Sequence, residues 1–330
     1  MTRGTVLNSL PVHSSSPLAP LGVTAALDDF RSKTETNDNR PAPRPKIFAQ
    51  FALTDRVAIV SGANQGLGLE MAMALCEAGC RTVYCVDLAE KPSDEFEAVQ
   101  QFLRRMSEGL EGRSKGRLDE DADDPGMRVG RLEYISADVR DQETMWDIGE
   151  KIGDKEGRLD IGVAAAGVPS SHINCLKYPA EQLRKVLDVN TSGSLFTAQA
   201  AGRQMERFRI PGSIILVASM SGTITNRGHA WVSYNASKAA VLQMARNMAC
   251  ELGKKGIRVN SLSPGHVYTN MSAAELDTKP KLLDTWSNLN PLGRIGTTDE
   301  FRGVVTWLAS DASSFCTGTD VIISGGHQSW

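Results

Sequence analysis

The chain lacks an excess of either charge, a long apolar run, a metal-binding cysteine pattern and a secretory head, and each absence removes a class of function. Lys and Arg total 36 against 39 Asp and Glu, a net charge of -3 over 330 residues. With no basic stripe, the electrostatic footprint of a nucleic-acid binder is missing. No apolar stretch reaches the ~20 residues that span a bilayer. The six cysteines (Cys76, Cys80, Cys85, Cys175, Cys250, Cys316) are scattered, mostly within apolar runs. That spacing excludes a metal knuckle or a compact disulfide framework and fits buried thiols in a reducing compartment. Met1 to Pro20 has neither the charged head nor the apolar core of a signal peptide, so the expected location is the cytosol.

What is present describes a globular protein. Hydrophobic residues make up 41% and charged residues 23%, enough for a sizeable core. Residues 1–50 are rich in Ser, Pro, Asn and Thr without lasting periodicity, with Ser14-Ser15-Ser16-Pro17 and Arg40-Pro41-Ala42-Pro43-Arg44-Pro45 as stiff, helix-breaking pieces. They read as a flexible tail that docks through Phe48 and Phe51. Asp28, Asp29, Glu35 and Asp38 argue against an organelle-targeting role for it.

An alternation occupies residues 51–330. Val57–Val60 reads as a buried strand and Leu69–Ala78 as the helix after it. Further strands are expected at Thr82–Val86, Leu132–Ser136, Ile161–Ala165, Ile214–Ala218, Ile257–Leu262 and Asp320–Ile323. Helical patterns include Ala180–Val189, Leu195–Phe208 and Val232–Leu252. Short β-rich runs alternating with helices imply one α/β domain, a parallel sheet covered on both faces. Residues 109–130, rich in Gly and Asp, read as a surface insertion.

Ser61-Gly62-Ala63-Asn64-Gln65-Gly66-Leu67-Gly68 lies between the first strand and its helix. Gly62 allows a tight turn, Gly66 admits a pyrophosphate against backbone, and Gly68 lets helix and strand pack closely. Asp87 ends the second strand about 20 residues on, where a carboxylate accepts hydrogen bonds from adenosine ribose hydroxyls. A 2′-phosphate would meet like charge there and Gln65 offers it no cation, so NAD is favoured. Arg81 and Lys91 keep NADP open. Asp138, ending the third strand, suits either the adenine edge or a helix cap.

Tyr234 precedes Lys238 by four residues in a helical run, which puts phenol and ammonium on one face. Phenols titrate near pH ~10, and a nearby cation stabilises the phenolate and draws that value down. The spacing alone is common in helices. Ser219, directly after a strand, is the hydroxyl that would join the pair, with Ser221 in reserve.

As an ordered set, Ser61–Gly68, Asp87, Asp138-Val139, Ala164–Gly167, Asn190, Ser219, Tyr234/Lys238, Pro264-Gly265 and Ser324-Gly325-Gly326 resemble the short-chain dehydrogenase/reductase superfamily. The texture is most similar to fungal polyol dehydrogenases and ketose reductases of the arabinitol, sorbose and mannitol group. The resemblance implies a single doubly wound Rossmann domain with a seven-stranded parallel sheet, and an NAD(P)-dependent enzyme interconverting a sugar alcohol and its ketose. It assigns proton transfer to Tyr234, lowering of the Tyr234 pKa and nicotinamide-ribose binding to Lys238, and a hydrogen bond to the substrate oxygen to Ser219. Asn190 would hold a water that links Lys238 to solvent.

Beyond the glycine loop with Gln65 and Leu67, the implied cofactor contacts are Asp87, Asp138, Val139, Ala165, Gly167, Pro264 and Gly265. The Val267 backbone and the Thr269 side chain would meet the nicotinamide carboxamide. Ala164-Ala165-Ala166-Gly167 departs from the Asn-Asn-Ala-Gly of many members, which costs local hydrogen bonds but leaves the backbone free to approach the cofactor. Residues 268–296 occupy the place of a substrate lid. Thr225, Asn226, Arg227, His229 and Trp231, with His172 and Asn174, suit a many-hydroxyl substrate, whereas His266 reads as structural. Val232–Leu252, ringed by small and apolar residues, would form a homodimer or homotetramer interface. The competing expectations are a 3-oxoacyl thioester reductase and a nucleotide-binding switch without turnover.

Overall fold

In the computed structural model, which describes residue 19 and residues 21–32, 44–114 and 128–330, the expected sheet is complete. Seven strands, β1 (Val57–Ser61), β2 (Thr82–Asp87), β3 (Arg131–Ser136), β4 (Ile161–Ala164), β5 (Gly212–Val217), β6 (Ile257–Pro264) and β7 (Asp320–Ile323), lie in the order β3-β2-β1-β4-β5-β6-β7. Every pairing is parallel. β1 and β4 are buried at every position, which is why their sequences run apolar or small without alternating.

After α1 (Gly22–Ser32), helices α2 (Gly66–Glu77), α3 (Asp94–Ser114), α4 (Gln142–Glu156), α5 (Ala180–Leu187), α6 (Gly193–Phe208), α7 (Val232–Leu252), α8 (Asn270–Leu276), α9 (Pro280–Asn288) and α10 (Arg302–Ala309) follow. Two apolar layers sandwich the sheet. Leu69, Phe96, Leu103 and Val305 of α2, α3 and α10 build one, and Met145, Ile152, Met205 and Leu242 of α4, α6 and α7 the other. Chain order reverses between β1 and β4, so a crevice opens beyond the carboxyl ends of these strands.

Several boundaries differ from expectation. α2 starts at Gly66 rather than Leu69, because the second half of the glycine loop already winds as helix. α5 stops at Leu187, and Asp188–Ser192 form a wider, π-type turn before α6. α1 lies inside the segment expected to be unstructured. Phe48 does not dock, being 84% exposed, while Phe51 is half-buried. Residues 109–114 continue α3, and the rest of the expected insertion up to residue 127 lies outside the described residues. Of the cysteines, Cys76, Cys80 and Cys85 are buried, but Cys175 and Cys250 are exposed. The outer face of α7 is open to solvent at Ala236, Ala239, Gln243 and Arg246, not apolar all round. No helix among the described residues is long and apolar enough to cross a membrane, and no group of His, Cys, Asp or Glu among them is arranged to hold a metal ion.

Candidate active site

A cleft of about 890 Å³ fills the crevice, and its walls come from the segments that follow β1, β2, β3, β4, β5 and β6. Backbone proximity explains the glycine loop. A Cβ on Gly62 would stand 2.5 Å from the Cα of Ala166, and one on Gly68 would stand 2.1 Å from the carbonyl oxygen of Gly62. Both are close approaches that no side chain survives. Gly66 differs: its φ is +60° and a Cβ there would meet nothing within 4 Å, so the space above it is part of the cleft. An open cradle of backbone at a helix N-terminus fits a dinucleotide pyrophosphate.

Asp87 fixes the loop from the end of β2. Its carboxylate accepts from the backbone N–H of Asn64 at 3.1 Å and of Leu88 at 2.8 Å. Asp138 and Val139 line the same end. Asp138 is clamped by Arg140, whose Nη2 donates at 2.6 Å, and this guanidinium lowers the carboxyl pKa. Asp138 is not a helix cap; Asp141 caps α4, accepting from the Thr144 N–H at 3.1 Å. Arg81 does not reach the cleft, because it lies at the opposite end of β2, paired with Asp55 and Glu156. Arg140 is the cation that sequence reasoning missed, since nothing marks an arginine held two residues beyond a strand-end aspartate.

At the other end, Ser219, Tyr234 and Lys238 meet. β5 delivers Ser219 to its carboxyl edge and the first turns of α7 deliver the other two. The Ser219 hydroxyl lies near enough to the Tyr234 phenol to draw its pKa down. The reserve candidate Ser221 is buried and accepts from Asn226 Nδ2 at 2.7 Å, while its own N–H donates to Ser219 Oγ at 3.1 Å. Lys238 Nζ lies 5.8 Å from the centre of the Tyr234 ring and donates one of its three protons to the Val217 carbonyl at 2.8 Å. Burial lowers the Lys238 pKa to about 8. Burial also raises the Tyr234 pKa, with the Ser219 hydroxyl acting the other way. The net shift of Tyr234 is thus upward, set by desolvation of the phenolate, where a lowering by Lys238 was expected.

Asn190 sits in the π-type turn, fully buried. Its Oδ1 accepts from the Val168 N–H at 2.8 Å, and its Nδ2 donates to the Val168 carbonyl at 3.1 Å and to Ser237 Oγ at 3.0 Å. The side chain therefore staples the segment after β4 to α7 and is not turned toward solvent. The same segment brings Ala165 and Gly167 to the cleft, where a Cβ on Gly167 would lie 3.7 Å from Lys238 Nζ. Pro264, Gly265 and Val267 line the cleft beyond β6, and Thr269 caps α8 in a reciprocal pair with Ser272.

The wall near Tyr234 is aromatic. Trp231 lies 6.3 Å from the Tyr234 ring, centre to centre, and stacks on His229 at 4.0 Å. His172 accepts from the Trp231 indole at 2.8 Å. Trp286 of α9 stacks on His266 at 4.1 Å and donates to His229 Nε2 at 3.3 Å. Of the polar residues expected to face the substrate, His172 and Trp231 line the cleft. Asn226 is buried behind Ser221, and Asn174 caps a short turn by accepting from the Leu176 N–H. Trp286 was missed, although Leu282 and Trp286 stand four apart on one face of α9 and signal an inward stripe.

Comparison with known proteins agrees with this geometry. The family model described as enoyl-(acyl carrier protein) reductase matches residues 108–328. A short chain dehydrogenases/reductase of Aspergillus versicolor is 34% identical over 306 residues, which cover 90% of this chain and 95% of the relative. A D-arabinitol 2-dehydrogenase (ribulose-forming) of Candida tropicalis is 30% identical over 86% of this chain and 96% of its own. The crystal structure of gox2181 superposes with a TM-score of 0.74 at 34% identity, covering 86% of this chain and all of that one. With its parallel seven-stranded sheet, its glycine cradle and these matches across most of its length, the chain belongs to the short-chain dehydrogenase/reductase superfamily.

Proposed function

We propose that this protein is an NAD(P)-dependent oxidoreductase that interconverts a secondary alcohol and a ketone, with a sugar alcohol and its ketose as substrates. The observation that carries this reading is the convergence of Ser219, Tyr234 and Lys238 on one end of a cleft whose other end is the open Gly66 cradle. Relatives named sorbose reductase, galactitol 2-dehydrogenase and D-arabinitol 2-dehydrogenase support the substrate class.

When bound, the nicotinamide supplies or accepts hydride, and the residues here handle the proton and the orientation. Tyr234, held neutral by burial, donates its proton to the ketone oxygen during reduction. Ser219 holds that oxygen, and Lys238 is placed to bind the ribose hydroxyls and stabilise the phenolate that remains. In oxidation the phenol must first ionise, so that direction gains with rising pH. Asn190, its side chain committed and its carbonyl already accepting from the Ser194 hydroxyl at 2.7 Å, would serve a proton-relay water only through the second lone pair of that carbonyl.

Asp87 favours NAD, since a carboxylate at the end of β2 would meet a 2′-phosphate with like charge. Relatives named as NADP-dependent mannitol dehydrogenase and NADH-dependent L-xylulose reductase keep both cofactors within reach of this scaffold. The family model's acyl-carrier description favours a second reading, a thioester reductase. The indoles and imidazoles of the wall suit hydroxyls better than an acyl chain. Turnover of arabinitol, xylitol, mannitol and sorbitol, followed by nicotinamide absorbance with each cofactor, tests this. Activity on at least one polyol with NAD is expected. Activity on acyl thioesters alone would overturn the substrate reading, and activity with NADP alone the Asp87 argument.

A further inference from the structure

Trp231 and Trp286 each carry one hydrogen-bonding group, an indole N–H that can only donate. Each points at an imidazole nitrogen: Trp231 at His172 Nε2 (2.8 Å) and Trp286 at His229 Nε2 (3.3 Å). Both Nε2 atoms must then be acceptors, and neutral His229 must carry its proton on Nδ1. That Nδ1 lies 3.4 Å from His172 Nε2, so a second donor converges on the same acceptor atom. The three rings are in contact, with centres 4.0 to 5.4 Å apart. The consequence falls on His172. With Nε2 held as acceptor, its proton is on Nδ1, and the ring lies exposed on the wall of the cleft beside Trp231.

We infer that His172 is a specificity-determining residue, which presents a tautomer-locked Nδ1–H donor to a substrate hydroxyl away from the reacting carbon. This rests on the polyol reading above and deepens it. A histidine free to change tautomer can face a hydroxyl as donor or acceptor, whereas this one is restricted to donating. The wall thus distinguishes a hydroxyl oxygen at that position from a hydrogen, because the methylene of a deoxy analogue accepts nothing. Three separate segments build the arrangement: His172 follows β4, His229 and Trp231 precede α7, and Trp286 belongs to α9. Through Trp286, α9 therefore helps to set the tautomer of the residue that reads the substrate.

The test uses the whole protein in two arms. In the first, imidazole nitrogen NMR of the labelled protein reads the tautomer of His172, its signals assigned by their loss in His172→Phe. A proton on Nδ1 and a bare Nε2 are expected, with Trp231→Phe producing a mixture. A proton on Nε2 overturns the inference. In the second, kcat/KM is measured for a preferred ketose and its series of single-deoxy analogues. At one remote position the wild type should lose about tenfold on deoxygenation, and His172→Phe should erase that difference while keeping the rest of the series in order. An equal loss across the whole series, with an unchanged melting temperature, overturns the inference while the polyol reading stands. A wild type that turns over no polyol or ketose removes the polyol reading, and the inference with it.

Discussion

Replacing Gly66 with Ala separates the two demands made on the glycine loop. The new Cβ meets no protein atom within 4 Å, so the cost to the fold is conformational alone, from a φ of +60°. A left-handed L-residue costs about 1–2 kcal/mol, and the stiffer unfolded chain returns about 0.4–1 kcal/mol, leaving a net loss of about 1 kcal/mol. The cofactor pays far more. The methyl occupies the space where phosphate oxygens would approach backbone N–H groups at about 2.9 Å. Hydrogen bonds to charged groups contribute about 1.5–3 kcal/mol each, so the loss of one weakens dinucleotide binding by about 10- to 100-fold. Gly157→Ala is the control. It caps α4 at a φ of +74°, also with nothing within 4 Å, and lies outside the cleft. Chemical denaturation should show similar small losses for the two variants, and titration calorimetry with NAD should show weakened binding in Gly66→Ala alone. Unaltered affinity in Gly66→Ala would refute the cradle.

Lys238 yields a prediction about pH. Its folded pKa, about 8, lies below the unfolded value of about 10.4. Between those values the unfolded chain binds more protons, so the wild type should gain stability as pH rises through the window, by up to about 3 kcal/mol. Lys238→Met should lack that gain and lose turnover, as denaturation at pH 7.5 and 9.5 and a rate assay would show; an identical pH dependence in both proteins would count against it. We propose that α7 pairs subunits: Ala240 is half-buried on it, and Ala240→Arg should lower the mass read by light scattering. An unchanged mass would remove α7 from the interface.

The seven strands and their parallel sheet were legible because buried parallel strands read as short apolar runs, and the glycine loop marks the first crossover. Tyr234, Lys238 and Ser219 were legible through their ordered spacing. Burial was harder to read. Neither the desolvation that raises Tyr234 nor the full commitment of the Asn190 side chain follows from residue type, since both depend on what packs around them. Arg81 looked close to Asp87 in sequence, yet the length of β2 separates them. Trp286, 55 residues beyond Trp231, reaches the same wall only because α9 folds back over the cleft.

The central claim is that the Tyr234 hydroxyl transfers the substrate proton. Tyr234→Phe removes one oxygen from a residue whose ring stays packed beside Trp231, and polyol turnover and NAD affinity are read on the same preparation. A fall in kcat of about 10²–10⁴-fold is expected, with NAD binding retained. Turnover near the wild-type rate would contradict it.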